Sequence, residues 1–77
     1  MEYLQKLGEQ IAQKREQLKL TQMDLASIAK LSDATIRFIE KGRPGVSISN
    51  WMKVAAILGM EINLQNKKMS DETRQGI

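Results

Sequence analysis

The chain has 77 residues, 42% of them hydrophobic, with 12 Lys and Arg against 9 Asp and Glu, a formal net charge of +3. That length holds one domain, and a domain this small buries only roughly 60% of the surface its unfolded chain exposes, so it needs a staple or a partner. The absence of cysteine excludes a disulfide, and the absence of histidine removes the commonest metal ligand and the commonest general base. Oligomerisation is the remedy left open.

No apolar run approaches the roughly 18 residues of a membrane span, and MEYLQKLGEQ has no apolar core of signal-peptide type, so a cytoplasmic protein is expected. From Tyr3 onward Leu4, Leu7, Ile11 and Leu18 stand three, four and seven apart, which is one face of a helix. Lys6, Glu9, Gln10, Gln13 and Glu16 take the rest, predicting a helix over about 3–18. Thr21 then offers a hydroxyl as N-cap, with Leu20 before it and Asp24 three residues on: a capping box with Asp in place of Glu or Gln. Met23, Leu25, Ala26, Ile28 and Ala29 carry a second helix over about 22–30. Ser32 is the next N-cap, Asp33 suits the positive end of a helix, and a third helix over about 33–41 closes at Gly42 as its C′ residue.

Gly42-Arg43-Pro44-Gly45 reads as a loop, since Pro44 lacks a backbone donor and the glycines loosen the chain. Ser47 or Ser49 caps a fourth helix over about 49–58, with Trp51, Val54, Ala55 and Leu58 inward and Gly59 as its stop. Met60-Glu61-Ile62-Asn63-Leu64-Gln65 alternates apolar and polar, the period of a strand over about 60–65. A lone strand leaves its backbone groups unpaired. Met60, Ile62 and Leu64 are therefore expected to pair with the same segment of a second copy around a two-fold axis. The alternative is an irregular extension packed on the fourth helix. The polar, aperiodic KKMSDETRQGI is expected to be a flexible tail over 67–77, leaving a domain over 1–66.

Helices two and three are joined so tightly that they must cross steeply, which is helix-turn-helix geometry. In that arrangement the second helix of the pair enters the major groove and the first lies across its mouth. Ala26 and Ala29 supply small residues for the crossing, and Leu25, Ile28, Ile36 and Ile39 supply an inward apolar face. Asp33, Ala34, Arg37 and Phe38 are left outward, with Ser32 at the start, and Gln22 opens the preceding helix with a long amide.

The run LKLTQMDLASIAKLSDATIRFIEKG, Leu18 to Gly42, resembles the Xre-type helix-turn-helix family of bacterial and phage repressors. It carries that family's LTQ-x-x-LA start, S-x-x-TI recognition helix and IE-x-G close at the same spacing. The resemblance implies an all-α, lambda-repressor-like domain of four to five helices that binds a palindromic operator in double-stranded DNA as a homodimer. The stretch RPGVSISNWMKVAAILGMEINL looks more narrowly like HipB-type antitoxins. That implies a short C-terminal strand paired between subunits, repression of the protein's own operon and a HipA-like kinase toxin as partner.

The family's pattern implies DNA contact by Gln22, Ser32, Asp33, Ala34, Thr35, Arg37 and Phe38, and phosphate contact by Lys41 and Arg43. It also implies a structural salt bridge of Arg15 with Glu40, and Arg15 does interrupt the apolar stripe of the first helix. One departure stands out. The turn commonly holds a glycine with positive φ, and this chain has Lys30 there, at a cost of roughly 1 kcal/mol or more. The residues leave three roles open. Asp33 either accepts from cytosine N4 or serves the helix dipole. Arg37 either grips guanine O6 and N7 or meets phosphate. Phe38 either meets a thymine methyl or pads the core beside Trp51. With no His, no Cys, no phosphate loop and no metal-ligand cluster, neither an enzyme nor a cofactor is expected.

Overall fold

The structure, a computed structural model, describes residues 2–62. Along them run four helices: α1 Glu2–Gln17, α2 Gln22–Ala29, α3 Asp33–Glu40 and α4 Ile48–Ile57. The expected all-α class is what the described residues form. α3 packs on both α1 and α2, and α4 packs on α2.

The helix starts follow from local chemistry. Thr21 and Asp24 make the reciprocal capping box, the Asp24 N–H donating to Thr21 Oγ1 at 2.9 Å and the Thr21 N–H to Asp24 Oδ2 at 2.8 Å. The backbone bond from Thr21 holds the Asp24 carboxyl below its ordinary value. Its contribution is therefore present above the usual carboxylate range and lost as pH falls through the lowered value. Ser32 and Ser47 cap α3 and α4 by accepting from the N–H groups of Thr35 and Asn50.

The core is drawn from all four helices. Ile11, Leu25, Ile36, Ile39 and Val54 are fully buried, and Trp51, Leu58, Ala26, Ala29 and Ala55 nearly so. Each large apolar side chain removed from water contributes about 1.5–3 kcal/mol. The alanines let α2 lie close to its neighbours. Gly8, buried in the middle of α1, has a stronger reason: a Cβ there would overlap the carbonyl oxygen of Ile39 and stand 2.7 Å from that of Glu40. α1 and α3 touch backbone to side-chain-free backbone at this point.

All four helices end in one backbone device. After α1 the N–H of Lys19 donates to Glu16 O and that of Leu20 to Arg15 O. After α2 the pairs are Lys30 to Ser27 and Leu31 to Ala26; after α3, Gly42 to Ile39 and Arg43 to Phe38; after α4, Gly59 to Ala56 and Met60 to Ala55. These are Schellman motifs, which require a left-handed residue at C′. Gly42 and Gly59 have φ of 69° and 74°, and Lys19 and Lys30 take 62° and 59° without being glycine. The departure at Lys30 thus leaves the turn's geometry intact, at the cost of a strained residue. The residue after three of these turns then packs back on the core, with Leu20, Leu31 and Met60 half-buried, while Arg43 after α3 stays exposed.

Two expectations are corrected. Leu18 is 47% exposed: its N–H still bonds to the Lys14 carbonyl in helical fashion, but at this last position of the stripe the core does not cover it. Ile28 is 52% exposed, because it lies roughly a third of a turn from the centre of the face formed by Leu25, Ala26 and Ala29. Residues 60–62 of the expected strand are in no strand, and Met60 and Ile62 pack on the core. The remainder of that segment, with Leu64, and the 67–77 tail lie outside the described residues.

Candidate nucleic-acid interface

α3 has two faces. Ile36 and Ile39 are fully buried, while Asp33, Arg37 and Phe38 are exposed, as are Ser32 before it and Lys41 and Arg43 after it. Ala34 and Thr35 are half-buried at its first turn, and Ser32 Oγ and Thr35 Oγ1 are hydrogen-bonded at 2.9 Å. α3 therefore offers one side to the core and the other, with its first turn, to whatever lies outside.

The inner side is locked by charge. Arg15 Nε donates to Glu40 Oε2 at 2.6 Å, Nη2 to Glu40 Oε1 at 3.2 Å and Nη1 to the Leu20 carbonyl at 2.6 Å. The two side chains are only 11% and 7% exposed. The hydrogen bonds that Arg15 donates to Glu40 raise the guanidinium pKa against the opposing effect of burial, and the charges of Glu40 and Glu16 add to the rise. Arg15 thus stays charged at every accessible pH. Gln22, half-buried at the start of α2, joins the network by donating from Nε2 to Glu40 Oε1 at 3.0 Å. That bond uses one of the two amide N–H groups of Gln22.

The outer side carries two arginines held in different ways. Arg37 Nη1 donates to Asp33 Oδ2 at 3.0 Å, one turn back along α3, with both side chains about half exposed. An exposed pair of this kind adds little to stability. Arg43 lies over the Phe38 ring, its guanidinium carbon 5.2 Å from the centroid. The turn at Gly42 explains this: Arg43 and Phe38 occupy the two positions that a Schellman motif brings together, normally as an apolar contact. Phe38, 41% exposed, lies outside the core cluster that contains Trp51, so its place beside Trp51 in the core is not what forms.

Sequence reasoning missed the bond from Gln22 to Glu40 and the close approach at Gly8. A glycine in mid-helix costs about 1 kcal/mol against alanine and was a legible signal of such an approach. The Gln22 bond had no signal, because it joins residues of two helices through side-chain geometry alone.

A short capped helix, a three-residue connection and a second helix with one face buried and one face exposed and arginine-bearing define a helix-turn-helix DNA-binding domain. A family model described as helix-turn-helix matches residues 11–65, well over half of the chain. The chain belongs to this Xre-like helix-turn-helix family of DNA-binding transcription regulators. Among curated proteins none matches it. No helix of the described residues is long and apolar enough to cross a membrane.

Proposed function

We propose that the protein is a sequence-specific repressor that binds a palindromic operator as a homodimer, with two α3 helices entering successive major grooves roughly 34 Å apart. The observation that carries this reading is α3 itself. Its inner face is fixed by Ile36, Ile39 and the Arg15–Glu40 pair, and its outer face presents Asp33, Arg37 and Phe38. Ser32, Ala34 and Thr35 flank the same face, Gln22 stands at its edge, and Lys41 and Arg43 follow where phosphate would run. The reaction is binding, without bond chemistry.

Support for the homodimer comes from the surface around α4. Ile48 and Met52, one turn apart, are each exposed by about half, and a groove runs between Met52, Ala56, Met60, Glu61 and Ile62. None of these residues belongs to α2 or α3, so a second copy seated there leaves the recognition helix free. Pairing of the 60–65 segments across the two-fold axis would continue the same surface. Resemblance of the 43–64 stretch to HipB-type antitoxins favours a second task, binding a HipA-like kinase toxin while repressing the shared operon.

The test is titration of a labelled duplex from upstream of the protein's own gene beside a scrambled duplex, at two salt concentrations. Roughly 10³-fold or greater preference for the native duplex is expected of an autoregulating repressor. Equal binding to both, erased by salt, would overturn it. Sedimentation of Met52→Lys reports on the dimer: about a tenfold or larger loss of self-association is expected, and an unchanged dimer would move the interface elsewhere.

A further inference from the structure

Phosphate and guanine ask different things of an arginine. A phosphate is held chiefly by charge and releases counterions when bound, whereas guanine O6 and N7 are matched by a planar fork of two N–H groups. The two arginines on the outer face are prepared in ways that fit this division. Arg43 rests on an aromatic ring, which orients the guanidinium and leaves its full charge in place. Arg37 is tied to a carboxylate one turn back, which favours one orientation of it and offsets part of its charge.

We propose that Asp33 is a specificity-determining residue, holding the Arg37 guanidinium so that it reads a guanine edge and is withheld from the phosphate backbone. This rests on the sequence-specific reading above. The geometry allows it: only Nη1 is spent on Asp33, so the edge formed by Nη2 and Nε remains for two bonds to one base. The pair lies along the first turn and a half of α3, the part of a recognition helix that meets base edges. An uncompensated carboxylate beside DNA is repelled by every phosphate, so Asp33 is tolerable only while Arg37 accompanies it. On sequences that offer Arg37 no guanine, the tie to Asp33 keeps the guanidinium from taking up a phosphate instead, so Asp33 weakens binding to them. Asp33 trades affinity for discrimination.

Binding sites selected from a random-sequence duplex pool would test this, using the wild-type protein, Asp33→Ala, Asp33→Asn and Arg37→Ala. The wild-type motif is expected to contain a G whose preference Arg37→Ala abolishes. Asp33→Ala and Asp33→Asn should flatten that same position, from a preference of roughly 5- to 100-fold to less than about threefold. Both should also bind random duplex more tightly, with a log–log salt slope steeper by about one, because the freed arginine takes up a phosphate. A wild-type motif left unaltered by Asp33→Ala would overturn the inference alone. So would a loss at a position different from the one Arg37→Ala affects, since that would make Asp33 a direct reader of cytosine. Asp33→Asn with the wild-type slope and preference would overturn the role of charge. A wild-type selection that returns no motif would overturn the sequence-specific reading and this inference with it.

Discussion

The end of α2 and the end of α3 are built on the same backbone turn, yet one holds Lys30 and the other Gly42 at the left-handed position. The difference is not local. A Cβ at Gly42 would overlap Gln5 Cα and stand 2.5 Å from the Gln5 nitrogen and 2.6 Å from the Leu4 carbonyl carbon, so α1 forbids any side chain there. Lys30 is exposed, and nothing beyond its own strain opposes it. The residue after the turn differs as well. Leu31 turns in to the core, whereas Arg43 stays out on the Phe38 ring. One device thus closes a helix in the first case and presents a charge beside the recognition helix in the second.

The comparison breaks most severely at Gly42. Gly42→Ala should lower stability by about 3 kcal/mol or more, adding left-handed strain to an overlap with backbone that no rotamer relieves. Chemical denaturation measures this, and a loss below about 1 kcal/mol would mean that α1 moves aside. Glu40→Gln, which leaves the nearly enclosed Arg15 charge with only the exposed Glu16 carboxylate 3.7 Å away, should cost on the order of 3 kcal/mol in the same experiment.

The two residues after the turns sharpen the contrast. Leu31→Ala should cost about 1–2 kcal/mol of stability, since the side chain is half-buried. Arg43→Ala should leave the melting temperature almost unchanged while weakening binding to native and scrambled duplexes alike and lowering the salt slope by about one. An Arg43→Ala protein that loses preference for one base instead would make Arg43 a reader. The smallest effect belongs to Lys30→Gly. Relief of left-handed strain, less the greater freedom glycine regains on unfolding, should stabilise the protein by about 0.5 kcal/mol, roughly 2–4 °C in a thermal melt. A melting temperature that falls would show that the Lys30 side chain makes a contact worth more than its strain.

Much of the fold was legible because its signals are short-range. The capping box at Thr21 and Asp24, the cap at Ser32 and the stop at Gly42 each involve groups within a few residues of one another, so the chain alone specifies them. Spacing placed Ile11, Leu25, Ile36, Ile39, Trp51 and Val54 inside. The same spacing misplaced Leu18 and Ile28. Periodicity says that residues share a face, and only packing decides how wide the covered face is and where a helix stops.

The candidate site divides in the same way. Which residues lie along α3 was readable, because the helix and its caps are local. How the arginines are held was not, although both ties are between near neighbours: the pair of Asp33 with Arg37 needs rotamers that the period does not specify, and the stack of Arg43 on Phe38 needs the turn at Gly42. The sequence by itself determined the helices, their caps and the helix-turn-helix order, since hydrogen bonds to the nearest N–H groups need no distant partner. Tertiary structure alone decided that Gly8 and Gly42 admit no side chain and that Gln22 is tied to Glu40. Those outcomes depend on how closely α1, α2 and α3 approach one another, a distance set by the whole core at once.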